Sequence, residues 1–71
     1  MHMETIDSEA IRAVGYDDAN HILRVTFNNG RTYDYLDFPP EEHFRFMNAE
    51  SRGAYMNQVI KLEYECREVE E

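Results

Sequence analysis

His21-Ile22-Leu23-Arg24-Val25-Thr26-Phe27-Asn28-Asn29-Gly30-Arg31-Thr32-Tyr33-Asp34-Tyr35 alternates apolar and polar residues on both sides of an Asn-Asn-Gly turn, the pattern of a β-hairpin. Side-chain chemistry decides its register. A two-residue Asn29-Gly30 loop would set Val25 against Asp34 and bury a carboxylate on the apolar face. A three-residue loop with Gly30 in a left-handed bulge pairs Val25 with Tyr33, Leu23 with Tyr35, Thr26 with Thr32 and Arg24 with Asp34. This second register is adopted. It places Leu23, Val25, Phe27, Tyr33 and Tyr35 on one face, and Arg24, Thr26, Thr32 and Asp34 on the other.

Upstream, Ile11 to Tyr16 reads as another strand, joined to the hairpin through the turn residues Asp17-Asp18-Ala19-Asn20. Downstream, Asp37-Phe38-Pro39-Pro40-Glu41-Glu42 is a helix start, since proline suits the first turn and acidic residues favour the positive end of the helix. That helix is expected to run to about Asn48, with Phe44 and Met47 reaching the sheet and Phe38 packed beneath. Ser51 is an N-cap for a second helix, in which Tyr55/Val59 and Met56/Ile60 form apolar i, i+4 pairs. Beyond Ile60 the alternation of Leu62, Tyr64 and Cys66 also fits an edge strand; Glu63 and Arg67 at i, i+4 favour helix to about Cys66.

The predicted architecture is therefore α+β: a three-stranded antiparallel meander packed on one face by a helical hairpin. The 71 residues allow one domain and two layers, so the other sheet face stays open to water. Residues 1–7 are expected to be a flexible N-terminus and 67–71 an acidic tail. Met1-His2-Met3 has no apolar leader pattern, and His2 is set aside as a possible expression remnant.

Composition limits function. Fifteen acidic against seven basic side chains give a formal charge of −8, a field that repels phosphate and anionic lipid on average. No apolar run approaches the roughly 18 residues of a membrane span. The single Cys66 can form no internal disulfide, and the cytoplasm is the expected location. The three glycines, Gly15, Gly30 and Gly53, form no nucleotide-binding run. His21 and His43 lack metal-ligand spacing, and the Asp17-Asp18 and Glu41-Glu42 pairs are explained by turn and helix-end chemistry. No catalytic set, cofactor or metal site is expected.

Read in order, Ser8, Ile11, Val14-Gly15-Tyr16-Asp17, Leu23-x-Val25-x-Phe27, Gly30, Tyr33-Asp34-Tyr35, Pro39, Phe44 and Ala49-x-Ser51-x-Gly53-x-Tyr55-x-Asn57-x-x-Ile60, ending at Tyr64, resemble the KTSC domain. That domain is named for its place at the C-terminus of some lysyl-tRNA synthetases and also stands alone in bacteria and phages. The resemblance implies a module of unestablished function for which RNA binding has been proposed. The acidic charge of this chain runs against a general phosphate-binding surface.

Candidate contacts follow from residue chemistry. Tyr33 and Tyr35 could stack bases, although the adopted register puts them under the helices with hydroxyls at the rim. Ser51-Arg52-Gly53 opens a helix where amide donors favour an anion; the plainer reading is an N-cap plus a glycine needed for packing. Asn57 faces either the preceding loop or a ligand. Arg24 lies on the open sheet face, beside Arg12 if neighbouring strands pair that way. The expected function is a non-catalytic binding module with RNA as implied partner; the alternative is docking of another protein on the open sheet face or helical groove. A monomer is favoured over an oligomer, and a small-molecule substrate is not expected.

Overall fold

A computed structural model describes residues 1–70. It contains β1 (Met3–Thr5), β2 (Ile11–Asp17), β3 (Ile22–Phe27) and β4 (Thr32–Tyr35), then α1 (Pro40–Met47). A continuous helical run follows, made of α2 (Arg52–Tyr55), a π-helical segment (Met56–Ile60) and α3 (Lys61–Glu63), and the chain closes with β5 (Cys66–Val69). The strands form one antiparallel sheet in the order β1-β2-β3-β4-β5.

The hairpin register is the one side-chain chemistry selects. Leu23 pairs with Tyr35, Arg24 with Asp34, Val25 with Tyr33 and Thr26 with Thr32. Gly30 has φ +90°, and Phe27 donates its amide to Arg31 O at 2.9 Å around a three-residue loop. Only glycine takes that backbone conformation without strain. The threonine hydroxyls meet at 2.8 Å, so the polar side of the hairpin is cross-linked as well.

The sheet has five strands rather than the expected three. Residues 3–5, expected in the flexible N-terminus, pair with β2, and Cys66–Val69, expected as helix end and acidic tail, add to the free edge of β4. The helix stops at Glu63 because Tyr64 is extended at φ −118°, ψ 138°. Its ring packs on Phe38 at 4.6 Å, and Glu65 O accepts the Leu36 amide at 2.9 Å. Those contacts outweigh the Glu63/Arg67 helical pair, which is worth only about 0.3–0.5 kcal/mol. The edge-strand alternation holds only from Tyr64 to Cys66, since Leu62 lies in α3 and is 77% exposed.

Leu23, Val25, Tyr35, Ile11 and Val14 on the sheet, with Phe38, Phe46, Met56 and Ile60, form the buried core. Each such side chain contributes about 1.5–3 kcal/mol on burial. Phe38 is wholly buried as expected. Phe44 is not a core residue: it is 69% exposed, and Phe46 is buried in its place. The inward face of α1 carries Glu42 and Phe46, four residues apart, and turns Phe44 outward. Ser51 caps the second helical run, its hydroxyl accepting the Ala54 amide at 3.2 Å.

Two polar residues are also buried. Asp34 lies on the face away from the helices, where an exposed position was expected, yet it is 2% exposed. The Arg24 guanidinium folds over it, and Arg67 is its partner on β5. Glu42, read from the sequence as helix-end chemistry, is 6% exposed. Its carboxylate accepts from Tyr55 Oη at 2.7 Å, Arg45 Nη1 at 3.1 Å and Tyr64 Oη at 3.4 Å, which joins α1 to the last helix and its exit.

Candidate nucleic-acid interface

Tyr33 and Tyr35 project from β4 to the helix-covered side, as the register requires. Tyr35 is 2% exposed and belongs to the core, while Tyr33 is half-buried against it. Together with Phe27 they line a groove of about 550 Å³, bounded by Glu9 and Ala10, by Asn28 and Asn29 of the hairpin loop, by Lys61 and by Cys66. The Tyr33 and Phe27 rings meet edge to face at 5.9 Å. Lys61, the only lysine in the chain, holds its ammonium 5.2 Å from the Phe27 ring centre. Burial pushes the Tyr35 hydroxyl up to about 12.

Asn28 fixes one wall of this groove. Its side-chain amide donates to Ser8 O and Glu9 O at 3.0 and 2.7 Å, and its backbone amide to Ala10 O at 2.9 Å. The loop before β2 is thereby tied to the hairpin tip.

Ser51, Arg52, Gly53 and Asn57 meet in a second hollow of about 400 Å³, with Asp7, Ser8, Glu9, Ala10 and Glu50. Glu9 and Ala10 line both hollows, so the two adjoin. Arg52 donates from Nη2 to Met47 O at 2.9 Å, and its Nε is buried without a partner among the described residues. A Cβ on Gly53 would sit at ordinary contact distance, 3.7 Å from Ser8 Oγ and 3.8 Å from the Ala10 Cβ. Three carboxylates on the rim oppose an anion there.

Arg24 lies apart from both hollows, on the other side of the sheet. Its Nε and Nη2 bond the two Asp34 oxygens at 2.7 and 3.0 Å, and this hydrogen bonding raises the guanidinium pKa. Arg12 is not its neighbour: β2 pairs Gly15 with Arg24, a bulge separates Ile11 from Ala13, and Arg12 donates to Asn28 O at 3.1 Å. The sequence-derived contacts thus fall in three places: Tyr33 and Tyr35 in one groove, the Ser51 to Asn57 set in the adjoining hollow, and Arg24 behind the sheet.

Sequence reasoning missed Phe27 and Lys61 as groove residues. Phe27 reads as core by alternation, and Lys61 is an isolated cation on a helix; only the fold brings them to Tyr33. A third hollow contains His43, whose ring stacks on Tyr16 at 4.4 Å and 8°. Burial holds the His43 pKa below its ordinary value, partly offset by Glu4. Among the described residues no group of three or more His, Cys, Asp or Glu side chains could hold a metal ion, and no helix is long and apolar enough to cross a membrane.

Comparison with known proteins gives a consistent result. The family description "KTSC domain" matches residues 7–64. The crystal structure of a KTSC domain protein from Yersinia pestis superposes with a TM-score of 0.93 at 35% identity, covering 97% of both chains. A small protein of Tsukamurella paurometabola is 42% identical over 59 residues, 83% of this chain and 88% of that one. A region of a lysine-tRNA ligase from Nostoc punctiforme is 25% identical over 63 residues, 89% of this chain but 11% of the ligase.

Proposed function

The chain belongs to the KTSC domain family, and from that premise we propose that it is a small non-catalytic binding module that associates with RNA. The observation that carries this reading is the aromatic groove of Phe27, Tyr33 and Tyr35 beside Lys61, adjoining the hollow of Ser51, Arg52, Gly53 and Asn57. Aromatic rings next to a flexible cation suit bases and their phosphates. The similarity to part of a lysine-tRNA ligase supports RNA as the partner class. The same proposal takes the protein to act as a cytoplasmic monomer.

Titration with mixed tRNA at two salt concentrations tests it. Binding at low salt that weakens steeply as salt rises, and that Arg52→Glu reduces, is the expected result. No binding at low salt would remove RNA as the partner.

A second reading has its own support. The net charge of −8 and the rim carboxylates Asp7, Glu9 and Glu50 favour a basic polypeptide docked along the same hollows. A Lys- and Arg-rich peptide that binds where tRNA does not would select this reading.

A further inference from the structure

Tyr35 is 2% exposed, yet its hydroxyl has no hydrogen-bond partner among the described residues. Nor is that oxygen sealed off, since Arg52 Nε is the one buried side-chain nitrogen or oxygen among them without a partner. Tyr35 lines the groove, which makes its unpartnered hydroxyl a candidate contact for a groove ligand. A hydroxyl on a rigid, largely buried ring is a directional reading group, able to donate and accept.

Three further features define what would fit. Phe27 and Tyr33, edge to face at 5.9 Å, offer apolar ring surface to a planar ligand. Lys61 has no carboxylate within ion-pair distance among the described residues, and its exposed, flexible stem keeps the ammonium at the groove over Phe27. At the hairpin end, Asn29 Oδ1 accepts the Arg31 amide at 2.9 Å, which turns the other half of that side-chain amide into a free donor at the rim. The groove therefore combines aromatic surface, hydrogen-bonding side chains in its lining, and one unpaired cation.

We propose that this groove takes a single unpaired nucleotide of an RNA strand, the base lying against Phe27 and Tyr33 and meeting the Tyr35 hydroxyl, with Lys61 on the adjoining phosphate. The inference rests on the RNA reading and narrows it to single-stranded RNA. A volume of about 550 Å³ suits a nucleotide and not a duplex. Charge points the same way: a duplex needs a broad cationic surface, whereas here one lysine shares the groove lining with Glu9 and the chain carries −8 overall.

The test uses the intact chain, with tyrosine fluorescence as the signal because it contains no tryptophan. The probes are mixed tRNA, a mixed-sequence single-stranded RNA 10-mer, and the duplex formed by that 10-mer and its complement, all at low salt. The single strand should bind about tenfold more tightly than the duplex, and Tyr35→Phe and Lys61→Gln should each weaken it by about fivefold. Lys61 is exposed, so Lys61→Gln reports even if Tyr35→Phe disturbs folding. If tRNA binds but the single strand and duplex bind alike, or Lys61→Gln binds as the parent does, the nucleotide slot is overturned and the RNA reading stands. If tRNA does not bind, both are overturned.

Discussion

Arg24 and Asp34 face each other across β3 and β4 on the side of the sheet without helices, and the guanidinium closes over the carboxylate through two bonds of 2.7 and 3.0 Å. The pair is unequal: the arginine side chain is 34% exposed and the aspartate 3%. Removing the arginine therefore strands a buried charge, a larger effect than loss of a surface ion pair. Arg24→Ala should cost about 2 kcal/mol, and adding Asp34→Ala should recover part of that loss. Urea denaturation of the two single variants and the double variant checks this; additive losses would mean that the residues do not act as a pair.

Glu42 gathers Tyr55, Tyr64 and Arg45 in a half-buried cluster. Glu42→Leu should destabilise the fold by about 1–3 kcal/mol, because the tyrosine hydroxyls lose their acceptor, while the Arg45 contact at an exposed side chain adds little. Burial, then the hydrogen bond to Glu42, pushes the Tyr55 hydroxyl up to about 12. Alkaline titration read by tyrosinate absorbance should show Tyr55 ionising earlier in Glu42→Leu than in the parent.

Tyr35 and Tyr55 also set an alkaline limit. Both have folded values of about 12, above the ordinary value near 10, so the folded state holds these protons more tightly than the unfolded state. Their stabilising effect is fully present below pH 10 and is lost as pH rises from there to 12. Tyr35→Phe should flatten the fall in stability over that range, measured by denaturation at successive pH values.

His43 acts at the opposite end of the pH scale. Burial against Tyr16 lowers its folded pKa, so the unfolded chain takes up the proton first as pH falls through about 6.5. Stability should decline from there down to the folded value, with Glu4 limiting the effect. His43→Phe, which keeps a ring on Tyr16, should lose this component in urea denaturation between pH 7 and pH 5.5.

Gly15 and Gly53 separate close packing from spare room. A Cβ on Gly15 would meet Met3 Sδ at 2.5 Å and His2 O at 2.8 Å, so Gly15→Ala should push the N-terminal segment off β2 at a cost of about 1–3 kcal/mol. Hydrogen exchange of the Ile6 amide, bonded to Arg12 O at 2.8 Å, reports this release. Gly53→Ala, with ordinary contacts only, should leave exchange at Ile6 unchanged.

The parts legible in the sequence are those where one local choice excludes its alternatives. The hairpin register could be read because only one loop length avoids setting Asp34 against Val25, and the Ser51 cap because its neighbours offer no competing turn. The added strands were hidden for different reasons: Met3–Thr5 is too short to show a period, and Cys66–Val69 is masked by the glutamates that flank it. Glu42 looked like Glu41, its neighbour at a helix start, because burial depends on which side of α1 faces Tyr55. The groove joins Glu9, Phe27, Tyr33 and Lys61 from distant parts of the chain, and no local pattern marks it.

Amide chemical-shift mapping with mixed tRNA at low salt tests the central claim that the groove and its adjoining hollow form the binding surface. The account predicts that perturbations concentrate at Phe27 to Asn29, Tyr33 to Tyr35 and Arg52 to Lys61. Shifts confined to Arg24, Thr26 and Thr32 on the opposite side of the sheet, or no shifts at all, would contradict it.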